Sequence, residues 1–533
     1  MQTHTPRTLL VNGSLHTVNP RLPHAQALAV EGERILAVGS TEEILALARS
    51  GDERIDLGGR SLLPGLQDAH VHLSWIGLAL QRIALTGVAA LPEALRRVRA
   101  AAQQAREGAW LLGSGWNHNT WPVPERPTRW DLDSVAPSQP VALTSKDGHS
   151  LWLNSAALCA AGISAATPDP AGGQILRDAS GEPTGIVTEN AMELIKAAVP
   201  PESDVELDAA MRLAQREAAH WGLTSVHNCE SAREFAALQR LHEAGALSLR
   251  VWQMVRSTDL DAALALGLRS GYGDALLCMG HLKMFADGAL GSATAEMLAP
   301  YEDLDHRGVA ATSSEVLYDA AHRAALGGIA SAIHAIGDGA NRRVLDLYAR
   351  LREEGSETRL PHRIEHVQLL TPQDLPRLAA LGVVASMQPI HAPHDREMAE
   401  RRWGARARYG YALRSVLQSG ATLILGTDSP VESLNPLVNL YAAVTRRAPE
   451  AGQAEGWYPD EALTLDEALY GYTLAPALST GQAQHTGSLT PGKWADLVVL
   501  SRDLYADGPE ALLETEVDLT MLGGRVLYRR EGA

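Results

Sequence analysis

Between residues 62 and 430 the chain repeats one pattern, a short and nearly continuous apolar run followed in most cases by a stretch with helical spacing. The eight runs read LLPGLQDAHVHL, LTSVHN, LRVWQMV, GHLKMFAD, IASAIHAIG, HRIEHVQ, GVVASMQP and ATLILGTDSP. Strands that are apolar on both faces belong to parallel sheets, and parallel neighbours need a crossover that is usually a helix. Amphipathic segments such as LDAAMRLAQREAAHWG and NRRVLDLYARLREEG supply such crossovers. Thr371-Pro372-Gln373-Asp374 reads as a helix start, with Thr371 as N-cap and proline at the first helical position. Eight βα units favour an α/β fold of the closed (β/α)8 type over a doubly wound sheet.

The two ends of the chain differ from this middle. TLLVNG, HTVN, QALAVEGERILAVG and RIDLGGRSLLPG alternate β-type runs with turn residues, and GSLTPGKWADLVVLSRD and LTMLGGRVLYRR do the same near the other end. They point to a small discontinuous β-sandwich of residues 1–63 and 483–533 around a barrel of residues 64–482, with two independent end caps as the competing arrangement. About 150 residues separate Leu73 from the second run at Leu223, which places an insertion at about 74–200. Its stretches AWLLGSGWNHNTWP and PVALTSKDGHSLWLNSAAL interleave tryptophan with Gly, Asn and His. An excursion after a barrel strand leaves from the C-terminal face, where barrel active sites are built, so it reads as a substrate-covering subdomain.

Composition narrows the function. A chain of 533 residues with 45% hydrophobic and 20% charged side chains can bury a large core. Its formal net charge of −17 disfavours nucleic acid and anionic membranes as partners, although solubility alone explains such a charge. Cys159, Cys229 and Cys278 form no CxxC, so neither a disulfide framework nor a cysteine zinc site is expected, and a reducing cytoplasm fits. The first residues do not read as a signal peptide, and no run reaches the roughly 18 apolar residues of a membrane span. The 19 histidines turn attention to metal chemistry.

Asp68, His70 and His72, then Lys283, His334, His366 and Asp428, stand at or near the ends of separate apolar runs. Residues two apart on a strand face the same side, so His70 and His72 can meet one central point while Val71 turns outward. Taken singly, each histidine reads as readily as a hydrogen-bonded core residue, and Lys283 as a buried ion-pair partner. Together, several imidazoles and one carboxylate suit a borderline divalent ion such as Zn2+, with a position left for water.

GLQDAHVHL, KMFADGALGS, HAIGD, RIEHVQ and GTDSP, framed by PGKWADLVVL, resemble the amidohydrolase superfamily. GSGWNHNTWP, KDGHSLWLNSAAL and KMFADGALGS are similar to its family 3, YtcJ-like branch, which contains N-substituted formamide deformylase. The resemblance implies that His70 and His72 are first-strand ligands, with Asp68 orienting one of them, and that His334, His366 and Asp428 are ligands from the fifth, sixth and eighth strands. It implies a lysine at position 283 carboxylated by carbon dioxide and bridging two metals; whether one or two ions bind stays open. No position of the metal motif is missing.

The chemistry implied is hydrolysis of an amide, N-acyl or N-formyl carbon–nitrogen bond of a small molecule by metal-activated hydroxide, with Asp428 moving the proton. His149 is a candidate to hydrogen-bond substrate or oxyanion, or else to stabilise its loop. Trp116 and Trp121, flanking Asn117-His118-Asn119, are candidates to wall an apolar substrate pocket, or else to pack the insertion. A superfamily deaminase would use the same strand ends, but HAIGD offers Asp338 and no HxxE. An esterase would share the centre, and a non-catalytic binding protein keeping the barrel is the remaining alternative. Homo-oligomer formation is left open.

Overall fold

The computed structural model describes residues 7–106, 108–118, 121–122, 126–146, 148–452 and 455–532. They form two compact units, one from the residues up to Ile76 together with those from Met211 onward, the other from Gly77 to Ala210.

In the first unit every one of the eight apolar runs contains a strand: β1 Leu66–Val71, β2 Leu223–Asn228, β3 Arg250–Arg256, β4 Leu277–Phe285, β5 Ser331–Ala335, β6 Arg363–His366, β7 Val384–Met387 and β8 Leu423–Leu425. They hydrogen-bond in sequential order in one eight-stranded parallel sheet. The sheet curls into a nearly closed barrel. Its first and last strands meet at their C-terminal ends, where Asp428 N donates to His70 O at 2.8 Å and His72 N to Ser429 O at 2.9 Å. β1 and β2 bury all their residues, as strands covered on both faces must.

The crossovers follow the sequence pattern. The helix Asp338–Glu353 buries Val344, Leu345, Tyr348 and Leu351, the spacing of one helical face. The helix expected from Thr371 instead begins at Leu375, with Asp374 at its N-cap. Thr371 caps a preceding turn: its hydroxyl donates to Asp374 Oδ2 at 2.7 Å and accepts from Asp374 N at 3.2 Å.

The same unit carries two further sheets. One has four strands, from Arg7–Val11, Ala27–Glu31, Arg34–Gly39 and Glu53–Asp56. The other has six, and in it Ser61–Pro64 pairs antiparallel with Leu497–Leu500, so residues from both ends of the chain share a ladder. Leu10, Leu28 and Leu62 pack there with Leu497, Val499 and Met521 in one core.

The second unit is built on a six-stranded mixed sheet that includes Leu111–Trp116, Val141–Ser145 and Ser150–Leu153. Among the described residues no helix is long and apolar enough to cross a membrane, and the three cysteines are free.

Candidate metal centre

The C-terminal mouth of the barrel holds a cavity of about 390 Å³ lined by His70, His72, Lys283, His334, His366 and Asp428. Period-two geometry brings His70 and His72 to one side of β1, and Asp428 Oδ1 lies 3.5 Å from His70 Nε2 and 3.4 Å from His72 Nε2. The His366 ring lies 4.9 Å from that of His70 and 4.6 Å from that of His334. His70, His72 and Asp428 each offer a ligand atom within 4.8 Å of the others, as do His366, His391 and Asp428. These groups fit a divalent-metal site.

The backbone is bent to achieve this. His366, Val367 and Asp428 take φ of 76°, 46° and 59°, a region that costs non-glycine residues about 1–3 kcal/mol each and is held only where the surroundings over-determine it. Asp68 is part of that framework. Its Oδ1 accepts from the backbone N–H of His70 at 3.1 Å and of Thr427 at 3.0 Å, and its Oδ2 accepts from the Thr427 hydroxyl at 2.6 Å. Neighbouring Gly426 has no room for a side chain, because a Cβ would stand 2.7 Å from Asp68 Oδ1. Burial pushes the Asp68 carboxyl up to about 7.

The expectation that Asp68 orients an imidazole is therefore corrected. It fixes the His70 backbone, and the ring is held by Glu365, whose Oε2 lies 2.6 Å from His70 Nδ1. A carboxylate only accepts, so Nδ1 carries the proton and Nε2 offers its lone pair to the cavity. Gln388 Oε1, 2.9 Å from His366 Nδ1, directs that ring likewise. His334 turns the other way, with Nε2 2.9 Å from the Gly288 carbonyl.

Electrostatics separate the groups. Burial, then Lys283, pulls His70 down to about 4 and His334 to about 3, so both are neutral imidazoles at physiological pH. Burial opposes ionisation of Asp428, but His70, the His72 hydrogen bond and His366 outweigh it and hold the carboxyl well below the usual range. Lys283 is 1% exposed, its Nζ has no hydrogen-bond partner, and burial lowers its pKa.

The residues singled out in the insertion fall in the second unit. Trp116 and Trp121 are buried there, stacked edge-on to Trp152 in its core. Their indole N–H groups donate to Leu143 O at 2.8 Å and Val88 O at 3.1 Å. Core packing thus corrects the pocket-wall expectation for Trp121, while Trp116 also edges a groove of about 430 Å³ with Asn117, His118, Arg126 and Lys146. Asn119 lies outside the described residues. His149 is exposed, with Nδ1 3.0 Å from Glu189 Oε1.

The aromatic wall of the barrel cavity comes instead from Trp75, stacked on His72 at 4.5 Å, and Phe285. The acid that a deaminase would need is engaged elsewhere: Asp338 Oδ1 accepts from the backbone N–H of Leu298 and of Gly339, at 2.9 and 3.0 Å. Sequence reasoning missed Glu365, Gln388, Trp75 and His391. Glu365 had a signal, a second charge two residues after Arg363 inside a buried strand.

The amidohydrolase family model, described as Amidohydrolase family, matches residues 53–528. The chain belongs to the amidohydrolase family. Protein LONG AFTER FAR-RED 3 of Arabidopsis thaliana is 34% identical over 98% of this chain and 91% of its own length. N-substituted formamide deformylase of Arthrobacter pascens is 31% identical over 98% of this chain and 99% of its own. The crystal structure of an uncharacterized metal-dependent hydrolase from Pyrococcus furiosus superposes with a TM-score of 0.77 at 28% identity, covering 95% of this chain and 100% of that one. Family membership supports a hydrolase.

Proposed function

We propose that the protein is a metal-dependent hydrolase that cleaves an amide, N-acyl or N-formyl carbon–nitrogen bond of a small molecule. The observation that carries this reading is the convergence of His70, His72, His366 and Asp428 on one cavity beside a buried amine, Lys283 Nζ, that has no hydrogen-bond partner. The donor set fits a divalent ion: neutral imidazoles aimed by Glu365 and Gln388, an ionised carboxylate, and no thiolate, which suits zinc. His70, His72 and Asp428 would hold one ion, and His334 and His366 a second, with Lys283 shared between them as a carbamate. An unmodified ammonium beside dications would be repelled, whereas carboxylation by carbon dioxide turns Lys283 into an anionic ligand.

A divalent ion held by these residues would supply Lewis-acid polarisation of a carbonyl and a pKa of water lowered toward about 7. The chain's own groups do the rest. Asp428 is held ionised and faces the cavity, so it takes a proton from the attacking water and returns it to the departing nitrogen, which leaves poorly unprotonated. Trp75 and Phe285 give the acyl or amine substituent an apolar wall and keep bulk water from the reacting carbon. The name of the Arthrobacter pascens relative supports an N-formyl substrate class, and that of the Pyrococcus furiosus structure supports metal dependence. The three unpaired cysteines support a reducing, cytoplasmic setting.

The test is a hydrolysis screen of metal-loaded protein across N-formyl, N-acetyl and larger N-acyl amines, with matched esters. Amide turnover that falls by about 10²–10⁴-fold in Asp428→Asn with the fold retained supports the reading. Turnover of esters alone, or normal turnover in that variant, overturns the bond assignment or the role of Asp428.

A further inference from the structure

His391 opens the helix His391–Trp403, past the end of β7, and belongs to no motif that drew attention to the other ligands. It is buried at 8% exposure and lines the same cavity. Its Nε2 has no hydrogen-bond partner and stands 4.0 Å from Asp428 Oδ2. The ring is nearly parallel to that of His366, at 13° and 6.4 Å between centroids.

The proton on this ring can be placed from its surroundings. Tyr411 Oη lies 2.5 Å from Asp395 Oδ2 and 3.3 Å from Gln368 Oε1, and Gln368 Nε2 lies 3.5 Å from His391 Nδ1. A tyrosine hydroxyl has one proton, and the short bond to a carboxylate claims it. Two oxygens without a proton between them repel, so we turn the Gln368 amide end for end, which sets its donating NH2 beside Tyr411. Amide oxygen and nitrogen are assigned from such networks. With the amide so placed, its oxygen faces His391 Nδ1, which must carry the imidazole proton. The chain Asp395–Tyr411–Gln368–His391 therefore leaves Nε2 with a bare lone pair, buried and directed at the Asp428 carboxylate.

Two acceptors facing each other across 4.0 Å inside a protein are mutually repulsive unless a cation lies between them. Zinc–nitrogen and zinc–oxygen bonds of about 2.0–2.2 Å put neighbouring ligand atoms about 3.4 Å apart in a tetrahedral site and further apart as the angle opens, so the gap accepts an ion after little movement. We infer that His391 is a metal ligand, contributed from beyond the seventh strand, and that its Nε2 joins His366 on the second ion, with Asp428 facing that ion through Oδ2 and the first ion through Oδ1. Gln368 and Tyr411 are then positioning residues that fix the tautomer of this ligand, as outer partners of metal-bound histidines do. The inference rests on the proposal that the barrel holds a divalent metal.

The experiment measures metal binding rather than turnover. Full-length protein is stripped, reloaded with Zn2+ or Co2+, and assayed for stoichiometry by elemental analysis, for affinity by competition with a chromophoric chelator, and for ligand field by the Co2+ absorption spectrum. His391→Gln is expected to lose one ion or to bind one at least about 100-fold more weakly, with an altered Co2+ spectrum. Gln368→Leu is expected to weaken the same ion by about 10–100-fold. Circular dichroism and the melting temperature of the stripped variants, matching stripped wild type, show that folding is intact; Gln368→Leu provides the readout if His391→Gln does not fold. Unchanged stoichiometry, affinity and spectrum in folded His391→Gln would overturn the assignment even if turnover fell, placing His391 on the substrate instead. Wild-type protein that binds no ion would instead sink the metal-dependent reading itself.

Discussion

Two layers of one barrel treat their buried charges differently. In the lower layer every charge is spent. Arg363 reaches Glu365 Oε1 at 2.5 Å, His227 Nδ1 at 2.8 Å, the Ala69 carbonyl at 2.6 Å and Ser386 Oγ at 3.2 Å, while His281 bonds Trp252 Nε1 and the Pro361 carbonyl through its two nitrogens. In the layer above, at the cavity, Lys283 Nζ, His72 Nδ1 and His391 Nε2 are buried without partners. An unsatisfied buried donor or acceptor costs about 1–3 kcal/mol; single atoms such as Gln67 Nε2 and Ser331 Oγ are bare elsewhere in the barrel, but the cavity collects three, from one lysine and two imidazoles, around one space. The difference marks the upper layer as a place prepared for something that is not polypeptide.

The largest expected effect comes from breaking the satisfied layer. Glu365→Ala strands the Arg363 guanidinium at full burial, and removal of one partner of a buried pair costs about 3–5 kcal/mol. Urea denaturation of the stripped protein measures it; a loss below about 1 kcal/mol would mean that the lower layer is not held by this pair.

The next test acts on the upper layer with the opposite sign. Lys283→Met removes an unpartnered buried amine and keeps its apolar length, so the stripped protein should gain about 1–3 kcal/mol while losing turnover, the usual trade of stability for function. Equal destabilisation by the two substitutions would erase the contrast between the layers.

The last test is a pH slope, small within any one pH unit. Burial pulls His362, whose Nδ1 accepts from Ser331 N at 3.0 Å, down to about 4 from its ordinary 6.5. Between those values the unfolded chain binds a proton that the folded one does not, so stability falls as pH drops from about 6.5 to 4, by at most about 1.4 kcal/mol per pH unit. His362→Asn keeps an acceptor toward Ser331 and should flatten the acid limb of a stability–pH profile by one proton. An unchanged limb would show that this ring is not held neutral.

The barrel strands were legible because burial on both faces writes itself as an unbroken apolar run, and His70, His72, Lys283, His334, His366 and Asp428, at or near the ends of such runs, all line the cavity, whereas Asp287, which ends the fourth run, accepts from the backbone N–H groups of Glu296, Ile336 and Gly337 instead. What hid was whatever acts across elements. Asp68 looked like a ring-orienting carboxylate, but which donor it meets depends on the positive-φ turn at Asp428, and that turn has no mark in one dimension. His391 was missed because it sits beyond the run that carries β7, on a helix rather than a strand. Of the two readings open to Trp116 and Trp121, pocket wall or packing, the sequence could not choose, because tryptophan between glycines and asparagines reads as a loop; Trp152 and the carbonyls of Leu143 and Val88 supply a core and partners for both indoles. Trp75 stood three residues past the His-x-His pair, yet only the stacking against His72 shows that it faces the cavity.

The central claim, that the upper layer is built around divalent metal, is tested most directly by elemental analysis of purified protein with hydrolysis and melting temperature measured before and after exhaustive chelation. The account predicts one or two divalent transition ions per chain, most of them zinc, with turnover lost and the melting temperature lowered on their removal and both restored by Zn2+. A protein free of metal that stays fully active, with an unchanged melting temperature, would contradict it.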